Sequence, residues 1–157
     1  MLQVWLDDAE HTAAFGALLW QLLPIKQLVF LRGDLGAGKT TLVRGLLRAA
    51  GYTGAVKSPT YSLVEEYQLN DRRLFHFDLY RLRDPEELVW LGIDDYLNQT
   101  ALCFIEWPQQ GDPFLPAPDV ALDLAYQQQQ RVLLLQANDL ALEKKIELHW
   151  KNKEILL

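Results

Sequence analysis

Residues 33–41 read GDLGAGKTT, and they decide the fold. Gly33, Gly38, Lys39 and Thr40 satisfy the pattern G-x-x-x-x-G-K-[ST], a loop whose backbone N–H groups cradle phosphate. The pattern is meaningful only between a strand and a helix, and both flanks comply. KQLVFLR (26–32) is a short apolar run rich in β-formers, as a buried parallel strand requires. KTTLVRGLLRAAG (39–51) has helical apolar spacing and stops at Gly51, a residue that closes helices in the left-handed conformation. A strand, a Gly-rich turn and a helix opening on Lys-Thr predict an α/β domain of the P-loop NTPase type, with a mixed, mostly parallel sheet flanked by helices.

Each residue type in the loop has a physical reason. Gly36 and Gly38 let the backbone wrap a phosphate at a helix start, where the partial positive charge favours anions. Lys39 supplies a mobile cation for the β- and γ-oxygens, Thr40 a hydroxyl for Mg²⁺, and Thr41 a hydrogen bond within reach of the α-phosphate. Gly33, Asp34, Leu35 and Ala37 complete the loop and are expected among the nucleotide-binding positions. Guanine recognition uses N-K-x-D, and the nearest run, NKEI from Asn152, lacks the Asp, so ATP or ADP with Mg²⁺ is expected rather than GTP.

Composition agrees with a packed globular domain rather than a disordered chain. The 157 residues are 50% hydrophobic and 23% charged, long enough for one core without metal or disulfide staples. Fifteen Lys and Arg against 21 Asp and Glu give a net charge of −6, which excludes a general electrostatic pull toward nucleic acid or anionic membrane. The lone Cys103 lies in the apolar run ALCFIEW and reads as a buried thiol, in keeping with a reducing cytoplasm. The start MLQVWLDDAE carries acid where an export leader needs base, and Gln21, Pro24, Lys26 and Gln27 interrupt the apolar stretch 18–31, so neither export nor a membrane span is expected.

Outward from the loop, residues 9–23 predict an amphipathic helix capped by Asp8. LVEEYQLNDRRLFHFDLY predicts a hairpin turning at Asn70 and Asp71. RDPEELVWLGIDDYL predicts one or two short helices, with Asp84 as cap, Pro85 in the first turn and Glu87 completing a capping box. ALCFIEW reads as another buried strand, and VALDLAY and RVLLLQA as strands either side of a four-Gln linker at 127–130, with a short helix after Asp139. The whole chain reads as one domain.

A phosphate loop needs an acid from a neighbouring strand, and two stand at apolar strand ends: Asp78 in LFHFD and Glu106 in LCFIE. Either could hold the metal while the other orients water. KSPTYSL places a Pro-fixed bend and two hydroxyls where nucleotide switches carry a γ-phosphate sensor, so Ser58 or Thr60 could serve. His11, His76 and His149 lack metal-ligand spacing. Arg81 and Arg83 are thin material for the Arg-rich lid of a small-molecule kinase.

GDLGAGKTTLVRG, VKSPTYSLVEEY, FHFDLYRL, PEEL with LGIDDYL, and IEWP occur in one order at tight spacing, and together they resemble the bacterial TsaE family over roughly residues 12–131. These are small P-loop ATPases required for threonylcarbamoyladenosine in tRNA. The resemblance implies that residues 36–41 bind nucleotide phosphates, that Thr40 and Glu106 hold Mg²⁺, and that Asp78 is the acid of the central strand. It further implies a switch-like segment at Ser58, Pro59, Thr60 and Tyr61, with Trp107 beside the site, and Glu10, Thr12 and Arg131 near the base and ribose. The expected partners are the TsaD catalytic subunit and the related TsaB subunit, with tRNA met through them. A small-molecule kinase and a nucleotide-sensing module with incidental hydrolysis are the competing expectations.

Overall fold

The computed structural model describes residues 1–59 and 61–152; Thr60 of the switch-like segment and all of the NKEI run after Asn152 lie outside the described residues. In chain order the elements are β1 (Leu2–Leu6), α1 (Ala9–Leu22), β2 (Gln27–Arg32), α2 (Lys39–Ala49), β3 (Val64–Leu69), β4 (Arg72–Asp78), α3 (Glu87–Leu91), α4 (Ile93–Leu97), β5 (Leu102–Glu106), β6 (Val120–Gln127), β7 (Gln130–Ala137) and α5 (Leu140–Lys151). They form one seven-stranded sheet in the order β1-β7-β6-β2-β5-β4-β3. β2 lies in the middle with β5 and β6 parallel to it, and β4 extends the parallel set beyond β5. Antiparallel partners, β3 on one side and β7 then β1 on the other, finish the edges. The expected mixed sheet, parallel at its centre, is therefore present. Asp78, however, ends β4, one strand in from the edge, while the central strand is β2. Asp78 closes the LFHFD strand as the sequence predicts, but that strand is not the central one that the resemblance implied.

Burial explains the two-sided cover. β5 is buried at every residue, which fits a parallel strand with helices on both faces. One core joins β1, β2, β6 and β7 residues to Phe15 and Leu18 of α1, Leu42 and Leu46 of α2, and Ile146 of α5. The other packs Phe75, Phe77, Cys103 and Ile105 against Leu88 of α3 and Ile93 of α4. Each fully buried Leu or Phe contributes roughly 1.5–3 kcal/mol, so the two layers hold the sheet rigid between them. Because strand side chains alternate, Leu74 and Phe104 on the first face put Asp78 and Glu106, their neighbours by even steps, on that same face. That face is the one α2 covers.

The local signals formed as expected, with four differences. Asp8 caps α1 by accepting from His11 N–H at 2.8 Å, and Asp139 caps α5 by accepting from Ala141 N–H at 3.0 Å. Asp84 accepts from Glu86 N–H at 3.0 Å while its own N–H donates to Glu87, yet the α3 helix begins only at Glu87 and ends on left-handed Gly92. The Gln run is no linker: Gln127 pairs with Gln130 across a tight hairpin. The helix after Asp139 is three turns long rather than short. β1 was not expected at all; Leu2, Val4 and Leu6 alternate buried with exposed Gln3 and Trp5, and pair with β7 from the far end of the chain. Among the described residues no helix is long and apolar enough to cross a membrane.

Candidate functional site

The site is built where β2 runs out. After Arg32 the chain turns at Gly33, and Ala37 N–H closes the loop on the Asp34 carbonyl at 3.1 Å. Gly36 and Gly38 take φ of 82° and 108°, conformations that L side chains rarely adopt. At Gly38 the backbone requires glycine, and a Cβ there would also meet Arg131 Nε at 2.9 Å, a contact that the long Arg side chain could relieve by shifting. Gly38 N-caps α2 without any side-chain cap. The first-turn N–H groups, which have no intrahelical partners, are thus left to an anion, with the helix dipole behind them.

Lys39 is nearly fully buried. Its Nζ donates to the Gly33 carbonyl, lies 3.6 Å from Glu106 Oε1 and sits 4.4 Å from the centre of the Trp107 ring. Glu106 and Asp78 are register partners at the ends of β5 and β4, so the parallel pairing itself brings the two carboxylates side by side. Both are buried, at 3% and 6% exposure, where an isolated charge would be costly. Burial pushes the Asp78 carboxyl above its ordinary value; the Tyr80 N–H it accepts at 3.0 Å opposes this, and the Glu106 charge adds to it. The two carboxylates, with the Thr40 hydroxyl on the cleft wall, form an oxygen-donor set suited to a hard divalent cation. Among the described residues no three His, Cys, Asp or Glu side chains make a protein-only metal cage. A Mg²⁺ shared with substrate phosphates needs only one or two carboxylates.

Around these groups is an open cleft of about 340 Å³. Of the residues expected from the sequence, Leu35, Gly36, Gly38, Lys39, Thr40, Thr41, Ser58, Asp78, Glu106, Trp107 and Arg131 line it, while Gly33, Asp34 and Ala37 shape the loop behind. Arg131 reaches in from β7, where its Nε donates to the Ala37 carbonyl at 3.0 Å and its guanidinium stacks on Tyr126. It therefore braces the phosphate loop. Trp107 adopts a left-handed φ of 55°, a strain of about 1 kcal/mol or more that turns the chain sharply after β5 and lays the indole along Lys39. Pro59 is buried, and its carbonyl accepts from Leu63 N–H; Tyr61 is exposed beneath Arg81 and does not line the cleft.

Glu10 and Thr12 are not brought to this cleft. Thr12 is fully buried in α1, its hydroxyl donating to the Asp8 carbonyl at 3.0 Å, and Glu10 borders a separate groove between α1 and α2 with Arg44 and Arg48. Conversely, sequence reasoning missed Tyr80, set His76 aside for want of metal-ligand spacing, and gave Arg81 only thin weight as a lid residue. His76 is fully buried, and its Nε2 lies 2.5 Å from Glu106 Oε2. Its only sequence signal was a position two residues before Asp78 in an alternating strand, hence on the same face. Tyr80 packs on Trp107 at 5.0 Å between ring centres, and Arg81 lines the cleft.

Comparison with known proteins points one way. Residues 6–133 match the model of the family described as Threonylcarbamoyl adenosine biosynthesis protein TsaE. The chain is 54% identical over 99 residues to the tRNA threonylcarbamoyladenosine biosynthesis protein TsaE of Haemophilus influenzae, an alignment covering 63% of each chain. It is 37% identical over 130 residues to the protein of that name from Nostoc, covering 80% of this chain and 79% of the other. The crystal structure of Bacillus subtilis YdiB superposes with a TM-score of 0.80 at 26% identity, covering 94% of this chain and 95% of YdiB. With the phosphate loop, the paired strand-end acids and this extent of match, the chain belongs to the TsaE family.

Proposed function

We propose that this chain binds ATP with Mg²⁺ in the cleft, hydrolyses it slowly, and acts as an ATP-driven switch on the TsaD–TsaB complex during threonylcarbamoyladenosine modification of tRNA. One observation carries this: the uncapped start of α2, Lys39, and the acids Asp78 and Glu106 converge on one cleft. The first-turn N–H groups and Lys39 bind the phosphates, Lys39 leaving the Gly33 carbonyl to do so. Thr40, Glu106 and Asp78 would hold Mg²⁺, which when bound neutralises charge developing on the transferred phosphoryl group. Trp107 and Tyr80 form an apolar wall that limits water, and Ser58, on the cleft lining, would sense a bound γ-phosphate.

A slow intrinsic rate follows from the arginines. Arg81 is engaged by Tyr61 and Arg131 by Tyr126 and the Ala37 carbonyl, so neither is presented as an arginine finger. Partner binding that releases Arg81 or supplies an arginine would raise the rate. The net charge of −6 agrees with meeting tRNA through partners rather than directly. The test is reconstitution of the modification from purified TsaD, TsaB and tRNA, with and without this chain, counting turnovers per complex. Repeated turnover only when the chain and ATP are both present is expected, and Glu106→Gln should bind ATP yet fail to support it. Equal turnover with and without the chain overturns the proposal.

A further inference from the structure

His76 has no role in the chemistry described so far, yet it is a fully buried polar ring against Glu106 of the cleft lining. Its neighbours along β4, Phe75 and Phe77, point into the opposite core, so the ring occupies a position on the α2 face that an aliphatic side chain would fill at lower desolvation cost. Of its two nitrogens, Nδ1 has no hydrogen-bond partner among the described residues, and Nε2 is spent on Glu106 Oε2 at 2.5 Å. A carboxylate only accepts, so the bond is Nε2–H donating to Glu106. Glu106 thus has two separate grips: Oε2 on His76 and Oε1 facing Lys39 at 3.6 Å.

The two grips differ in permanence. Lys39 is the cation a bound phosphate recruits, and once it turns away Oε1 is released. His76 is walled in by core and has nowhere to go. We propose that His76 is a positioning residue: it pins Glu106 through Oε2, so that Oε1, freed when Lys39 moves to phosphate, stays aimed at the cleft as a ready oxygen ligand for Mg²⁺. This rests on the ATP–Mg²⁺ reading above. Without the pin, a Glu side chain with several rotatable bonds must be ordered by the metal itself. Loss of such a supporting partner typically weakens metal binding by roughly 10- to 100-fold.

The test measures binding, not turnover, on the full chain by titration calorimetry. ATP affinity is recorded in EDTA and then across a Mg²⁺ series for the wild type, His76→Phe, which keeps a ring and removes the donor, and His76→Gln, which retains an N–H near the Nε2 position. His76→Phe should keep its EDTA affinity within about two-fold while the Mg²⁺ concentration for half-maximal gain rises roughly 10- to 100-fold. His76→Gln should recover most of that shift. An unchanged Mg²⁺ series in His76→Phe overturns the proposal while leaving the ATP reading intact. Wild type with no ATP affinity, or none that Mg²⁺ increases, overturns the underlying reading and the proposal together. If His76→Phe does not fold, His76→Gln against His76→Asn decides, since the Asn donor falls short of Glu106: Gln near wild type with Asn shifted supports the pin, and equal values for the two overturn it.

Discussion

Helix α2 owes its position to two glycines, and replacing one of them tests whether the site's scaffold is described correctly. A Cβ on Gly45 would lie 2.2 Å from the Ala13 carbonyl oxygen and 2.5 Å from the Ala13 Cα, and one on Gly16 would lie 2.1 Å from the Leu42 carbonyl oxygen. The helices therefore cross backbone to backbone, with no flexible side chain able to rotate aside. Ordinary contact begins near 3.4 Å, so Gly45→Ala must part α1 and α2 by about 1.2 Å and loosen Phe15, Leu18, Leu42 and Leu46 between them. Overpacking of this kind costs about 1–3 kcal/mol, here the upper value because backbone blocks the way, against about 1 kcal/mol of improved helix propensity. The net loss of about 2 kcal/mol lowers Tm by about 4–8 °C for a domain of this size. Thermal unfolding followed by circular dichroism reads this directly, with Arg44→Ala on the exposed neighbouring position as the control that gains propensity without a clash. A Tm at or above wild type in Gly45→Ala would show that propensity wins, and hence that the two helices do not meet here.

Further outcomes follow from single contacts. Cys103 is 3% exposed and burial pushes its thiol up to about 12, so at pH 8 only about one part in 10⁴ is thiolate; a thiol reagent should label it only on unfolding, and rapid labelling of native protein would contradict the buried β5. Arg131→Ala removes the brace on the Ala37 carbonyl and should weaken ATP binding by about 10-fold, as one charge-assisted hydrogen bond implies; unaltered affinity would show that the loop needs no brace. Lys39 lies on the Trp107 ring, so its recruitment by phosphate should change tryptophan emission; Trp107→Phe should abolish the change although four other tryptophans remain, and a persistent change would place the reporter elsewhere.

The phosphate loop, its flanking strand and helix, and the acids Asp78 and Glu106 were legible because each is a local pattern: spacing of Gly and Lys, apolar runs, an acid closing a strand. What the sequence could not supply was juxtaposition across strands. That Asp78 and Glu106 lie side by side is a fact of β4–β5 register, and the burial of His76 beside them follows from the same pairing. β1 escaped notice although Leu2, Val4 and Leu6 alternate cleanly, because its hydrogen-bonding partner β7 lies more than a hundred residues away. Arg131 was placed near the nucleotide only by family likeness; its grip on the loop depends on a hairpin that folds back over β2's neighbour. Thr12 shows the converse, a polar residue in a suggestive place whose hydroxyl is satisfied within its own helix.

The measurement that bears most directly on the cleft as an ATP–Mg²⁺ site is calorimetric titration of ATP, with Mg²⁺, into the wild type and Lys39→Ala. Lys39 supplies a buried ammonium 3.6 Å from Glu106, so its removal takes that cation away from the phosphates and from Glu106. One-to-one binding by the wild type, weakened at least about 100-fold in Lys39→Ala, is the predicted result. Equal affinity in the two proteins would contradict it.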